Sequence, residues 1–190
     1  MLDTRPQTTR AAARAVVPTG EARTFSADEL IVSKTDPRGV ITYANDVFLR
    51  VSGYAHHQVV GQPHNLIRHP DMPQAVFALL WDTLAAGREL FAYINNLAAD
   101  GAHYWVLAHV TPSYDARGSV AGYHSSRRRP SAGAVAEVVP IYEQLLAEER
   151  RHPTGKAAVA ASSRLLVELL EQRGESYEEF IWSIIGREEK

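Results

Sequence analysis

Gly61-Gln62-Pro63-His64-Asn65-Leu66-Ile67-Arg68-His69-Pro70-Asp71-Met72-Pro73 sets an arginine, two histidines and an aspartate among three prolines. Proline fixes φ at about −65° and steers the residue before it away from the helical region, so Arg68-His69 sits on a stiff, non-repetitive stretch. Side chains held in this way can be aimed at a bound anion, which a solvated loop has no need to do. Taken alone, the segment reads equally well as a polar loop leading into a helix. Its neighbours decide between the two.

Upstream, Leu30-Ile31-Val32 and Val40-Ile41-Thr42-Tyr43 are short β-branched runs on either side of Asp36-Pro37-Arg38-Gly39. Proline at the second turn position and glycine at the fourth predict a type I turn, hence a hairpin. Asn45 is a capping residue, and Val47, Phe48 and Val51 recur at helical spacing up to Gly53, which predicts a short helix. Downstream, Phe77, Leu80, Trp81 and Leu84 fall at i, i+3, i+4 and i+7 and stop before Gly87, so residues 73–86 form the longest expected helix of the core, with Leu80, Trp81 and Leu84 turned inward and Phe77 set apart from them. Residues 90–98, 103–113 and 119–127 read as three strands, divided by Asp100-Gly101 and Asp115-Ala116-Arg117-Gly118. In the middle one Tyr104, Val106, Ala108 and Val110 alternate with Trp105, Leu107, His109 and Thr111. One face can line a pocket while the other packs on a helix or a partner.

Arg127-Arg128-Arg129-Pro130 reads as a solvated strand end, because three charges on a chain of net charge −2 are too few for a nucleic-acid surface. Val135, Val138, Val139, Tyr142, Leu145 and Leu146 then give a helical stripe to residue 149, with Pro140 as the place for a kink. After a linker at His152-Pro153-Thr154-Gly155, two more helices are expected: about 156–173, ended by Gly174, and 177–187, opened by Ser176 and Glu179 as a capping box. Leu165, Leu166, Leu169, Leu170, Phe180, Ile181, Ile184 and Ile185 are more apolar surface than two short helices hide alone. A homodimer or docked partner is the expected cover; the core strands are the alternative.

The chain has 190 residues, 45% of them hydrophobic, as for one soluble core domain with appendages. Its charge gives no global attraction to nucleic acid or to an anionic membrane. The absence of cysteine excludes disulfides, thiolate metal sites and thiol photochemistry. Met1–Thr24 carries Arg5, Arg10, Arg14 and Arg23 around an alanine run without the apolar core of a signal peptide, and reads as a flexible arm. No uncharged apolar stretch approaches the about 18 residues of a membrane span, so a cytoplasmic protein is expected.

Thr35 to Phe48, Val51-Ser52-Gly53-Tyr54, the proline segment, Trp81 to Gly87 and Asp100-Gly101-Ala102-His103-Tyr104-Trp105-Val106 together resemble a PAS domain, and specifically the flavin-binding PAS domain of bacterial aerotaxis receptors. The resemblance spans roughly residues 28–146 and is specific in Arg68 to Pro73; the flanking motifs are shared by sensors with many ligands or none. It implies an α+β fold, a five-stranded antiparallel sheet with helices on one side, plus C-terminal helices. The arm would then be residues 1–24, the PAS sensor domain 25–130 and a helical extension 131–190. It also implies FAD, bound non-covalently; that no catalytic residue and no metal are expected follows from the residues themselves. Asn45, Arg68, His69, Asp71, Phe77 and Asn96 stand where aerotaxis PAS domains place residues needed for FAD.

The residues themselves suit such a ligand, which asks for an apolar slot, amide partners for its pyrimidine edge and cations for phosphate. Asn96 and Asn45 each offer a donor and an acceptor, although Asn45 also reads as a plain helix cap. Arg68 can pair bidentately with a pyrophosphate, His69 can hydrogen-bond to phosphate or ring, and Asp71 can orient either. Leu90 departs from the family, where a Trp is usual, and Phe91 or Tyr93 is the expected replacement for that aromatic wall. Aerotaxis receptors continue into a membrane anchor and a signalling region that this chain stops short of, so the signal is expected to leave through a chemotaxis or regulatory partner protein. A cofactor-free or haem-binding PAS interaction module is the alternative. A flavoenzyme is disfavoured because neither a nucleophile-base-orienter set nor a dinucleotide glycine fingerprint is present. The eight histidines lack paired metal-ligand spacing.

Overall fold

A computed structural model describes residues 16–188. Asp36 Oδ1 accepts the backbone N–H groups of Arg38 and Val40 at 2.9 Å each, Gly39 takes φ +78°, and the turn so formed pairs Ile31–Thr35 (β1) with Ile41–Ala44 (β2). Asn45 caps Asp46–Ser52 (α1), accepting from Phe48 N at 3.0 Å. His56–Val59 (α2) and a 3-10 turn at His64–Ile67 lead through the prolines to Gln74–Ala85 (α3). Leu90–Leu97 (β3), His103–Tyr114 (β4) and Val120–Arg128 (β5) complete a five-stranded antiparallel sheet in the order β2-β1-β5-β4-β3. The expected α+β class and sheet are present.

Register assigns the two faces. Ile94 pairs with Val106, Asn96 with Tyr104, Ala108 with Arg127, and Val110 with Ser125, which in turn faces Ser33. Since side chains alternate, these residues share the face that α1 to α3 cover, whereas Phe91, Tyr93 and Trp105 point the other way. That outer face is covered by Ala132–Glu149 (α4) and Tyr177–Glu188 (α6). Tyr142 of α4 lies against Trp105 with ring centroids 6.3 Å apart and donates to the Tyr93 carbonyl at 2.8 Å, while Phe91 meets Trp182 of α6 at 5.0 Å. Gly155–Arg173 (α5) packs on both α3 and α4.

The last residue of α4, Glu149, reaches the start of α3, where Pro73 offers no side-chain cap. Its Oε1 accepts from Gln74 N at 2.7 Å, Ala75 N at 3.2 Å and the Ser162 hydroxyl of α5 at 2.9 Å. Leu166, Leu170, Phe180, Ile181, Ile184 and Ile185 are each at most 5% exposed and belong to the same cluster as Leu84 and Tyr93. This corrects the premise for a homodimer: the sheet's outer face and α3 cover most of that apolar surface within one chain, and the core runs unbroken across residues 130–131.

Residues 1–15, and with them most of the expected arm, lie outside the described residues. Residues 16–24 are not a free arm. Arg23 N donates to His103 O and His103 N to Glu21 O, both at 2.8 Å, Thr19 N donates to Gly101 O at 2.9 Å, and the Arg23 side chain donates to Val51 O at 2.8 Å. The approach is so close that a Cβ on Gly101 would sit 2.3 Å from the Val17 carbonyl oxygen. Among the described residues no helix is long and apolar enough to cross a membrane.

Candidate functional site

A cavity of about 250 Å³ opens between α3 and the inner face of the sheet. Phe77, Leu80 and Leu84 of α3 and Ile94, Ala108 and Val110 of the sheet give it apolar walls. Trp81 does not join the core stripe as expected. It is 42% exposed, packs over Gly39, where a Cβ would lie 3.1 Å from its ring, and meets Tyr123 edge-on at 5.5 Å. The rotation of α3 that buries Leu80 and Leu84 leaves Trp81 at the cavity mouth.

In this apolar surround four buried side-chain atoms have no partner: Thr35 Oγ1, Asn96 Nδ2, Ser125 Oγ and Arg127 Nη1. Tyr104 Oη, on the same sheet face, is a fifth. Buried polar atoms are almost always hydrogen-bonded, and each one left bare costs about 1–3 kcal/mol. Bare polar groups spread over the sheet wall of a cavity suit a ligand that carries polar groups of its own. Arg127 is 3% exposed; its Nη2 donates to Ser33 Oγ at 2.8 Å and to His64 Nε2 at 2.6 Å. Among the described residues no carboxylate pairs with it. Burial draws the Arg127 pKa down to about 10, which leaves it charged at neutral pH. Burial and the adjacent Arg127 charge push His64 down to about 3, so this ring is neutral and accepts at Nε2.

Of the residues singled out in the sequence, Arg68, Phe77 and Asn96 line the cavity. The Arg68 guanidinium lies 4.0 Å above the Phe77 ring and donates to Met72 O at 3.2 Å, and its backbone bridges to Asn96. Burial lowers its pKa against an opposing pull from Glu149. His69 instead borders a shallow cleft behind Arg68, with Gln74 and Glu149, its Nδ1 accepting from Asp71 N at 3.1 Å. Burial lowers the His69 pKa. Asp71 is exposed and lies 3.6 Å from Arg150. Asn45 stands outside the cavity, because its amide is engaged as cap and clasp: Oδ1 accepts from Phe48 N and Val32 N at 3.0 Å each, and Nδ2 donates to Leu30 O at 2.8 Å. Phe91 and Tyr93 cannot rebuild the aromatic wall, since odd positions of β3 face outward; Leu90 keeps the inner face.

Sequence reading missed Ser33, Thr35, His64, Ser125 and Arg127. The signal was period 2: Tyr123, Ser125 and Arg127 alternate along β5 onto the face of Val110, but three successive arginines conceal that Arg127 and Arg128 point to opposite sides.

Residues 41–126 match the family model described as the PAS fold. The chain is 43% identical over 118 residues to the aerotaxis receptor of Escherichia coli (strain K12), covering 62% of this chain and 23% of that protein. It is 31% identical over 106 residues to the nitrogen fixation regulatory protein of Klebsiella pneumoniae, covering 56% of this chain and 21% of that one. It therefore spans less than a quarter of the length of these relatives. Among solved structures, one reported as "Flavin Analogue Sheds Light on Light-Oxygen-Voltage Domain Mechanism" superposes with a TM-score of 0.52 at 22% identity, over 60% of this chain and 86% of that one, a likeness of fold alone.

Proposed function

Because the chain carries a PAS domain resembling that of the aerotaxis receptor, we propose that its cavity holds a flavin, FAD by that resemblance, and that the protein is a sensor reporting redox or energy status to a partner protein. The observation that carries this reading is the set of unpaired buried atoms on Thr35, Asn96, Ser125 and Arg127 within an otherwise apolar slot. A flavin ring has that complement: two flat apolar faces and one edge of alternating donors and acceptors. Asn96 Nδ2 would be a donor to such a ligand, the hydroxyls of Thr35 and Ser125 could serve either polarity, and Phe77 and Leu80 would supply apolar contact. A cavity of about 250 Å³ would suit the ring rather than a whole dinucleotide, and Arg38 and Arg68, which both line it, would be the cations available to the phosphates. Bound flavin supplies reversible electron transfer; the protein positions it and senses its charge. On β3, Asn96 faces the cavity while the Tyr93 carbonyl holds Tyr142 of α4, a short path from ligand to the outer helices.

A haem is disfavoured because the histidine at the cavity, His64, already has its Nε2 engaged by Arg127. A cofactor-free module would leave the four atoms bare. The test is the absorption spectrum of freshly purified protein, with chromatography of the released ligand. Flavin bands and released FAD are expected. Colourless protein that takes up no added FAD would reject the reading, and a Soret band would replace it with haem.

A further inference from the structure

Arg127 stands apart from the other three unpaired groups because it carries a full charge. Buried ions in proteins are normally paired, since an isolated one forfeits its hydration without return. Here Ser33 Oγ and His64 Nε2 are neutral acceptors on one nitrogen, Nη1 has none, and the Phe48 ring 5.7 Å away is the remaining neighbour of note. Tyr104 also interacts with it; burial raises the Tyr104 pKa, so this phenol stays neutral, and burial lowers that of His124, which the Arg127 charge reaches as well. Arg68 and Arg38 do not share this condition: Arg68 is stacked on Phe77 and bonded to Met72, and Arg38 is paired with Asp36 in solvent.

We propose that Arg127 is the specificity-determining residue of the cavity, selecting a ligand that bears, or gains, negative charge on the edge it turns toward β1 and β5, and that Ser33 and His64 are the positioning residues that hold Arg127 in place. The inference rests on the flavin reading and adds a direction to it. Two-electron reduction of a neutral flavin with uptake of one proton leaves the ring with one negative charge. A fixed cation then binds the reduced form more tightly than the oxidised form, and by linkage raises the midpoint potential. Neutral His64 cannot cancel that charge and lends it no charge of its own.

The test is an equilibrium titration of holoprotein with dithionite, in the presence of a reference dye, for wild type, Arg127→Gln and Arg127→Lys. The expected result is that Arg127→Gln loses at least tenfold of the preference for reduced over oxidised flavin, a fall of about 30 mV for a two-electron couple, while Arg127→Lys stays within half of that shift. Arg127→Met, whose unbranched stem fills similar space, takes the place of Arg127→Gln if the latter does not fold. Flavin bound with an unchanged potential in the uncharged variants would overturn this inference and leave the flavin reading standing. Loss of both redox forms in equal proportion would overturn it too, since that is a contact without charge selection. Wild-type protein holding no flavin at all would overturn both.

Discussion

Glu149 and Arg127 are both buried charges, and the fold treats them in opposite ways. Glu149 ends α4 and receives two backbone N–H groups from the head of α3 and a hydroxyl from α5, so three elements are joined through one carboxylate. Arg127 ends β5 with one nitrogen on two neutral acceptors and the other on nothing. A buried charge whose partners the protein itself supplies is architecture; one left incomplete on a cavity wall makes room for something that arrives later. The contrast predicts that the first matters to folding in the absence of ligand and the second does not.

The largest effect expected is on the architectural side. Truncation after Arg151 removes Leu166, Leu170, Phe180, Ile181, Ile184 and Ile185 from the core, on the order of 10 kcal/mol of burial at about 1.5–3 kcal/mol each, comparable with the about 5–15 kcal/mol of net stability of a whole domain. The truncated chain should be aggregated or molten by circular dichroism and gel filtration. A folded, soluble monomer would show the C-terminal helices to be an accessory layer. Glu149→Ala comes next: it strips the Gln74 and Ala75 N–H groups at the head of α3 of their acceptor and should cost about 2–3 kcal/mol in urea unfolding, with or without flavin.

His64 predicts a pH dependence of intermediate size. Its folded pKa is about 3 and its unfolded value about 6.5, so between these limits the unfolded chain binds the extra proton. Stability should therefore fall as pH drops from about 6.5, by up to about 1.4 kcal/mol per unit. His64→Gln, which keeps an acceptor for Arg127 but cannot titrate, should flatten that slope in denaturant melts run from pH 7 to 4.5. The smallest effect is the other half of the comparison. Arg127→Met in flavin-free protein should shift stability by no more than about 1 kcal/mol, because relief of a buried unpaired cation offsets two lost hydrogen bonds. A loss like that of Glu149→Ala would make Arg127 architectural as well.

Much of the fold was legible in the sequence because its signals are local. The Asp36 to Gly39 turn, the Asn45 cap, the Ser176–Glu179 box and the alternation of β4 act within a few residues, and each appears as expected. Placements that depend on distant packing were harder to read. Trp81 has the spacing of a core residue, but only the way α3 is rotated as it packs on the sheet decides that it stands at the mouth. The apolar stripes of α5 and α6 are visible; that α4 carries them to the chain's own outer sheet face is not. Arg68, Phe77 and Asn96 could be assigned to the cavity from motif and strand, whereas Arg127 required the β4–β5 register, which sets it beside Ala108.

The claim that the cavity is built for a flavin is tested most directly by titrating flavin-stripped protein with FAD and following the quenching of flavin fluorescence. Saturable, stoichiometric binding by the wild type is predicted, weakened at least tenfold by Asn96→Leu, which removes an unpaired donor from the cavity wall without disturbing a bond the fold uses. Failure of the wild-type protein to bind FAD, or equal affinity in Asn96→Leu, would contradict it.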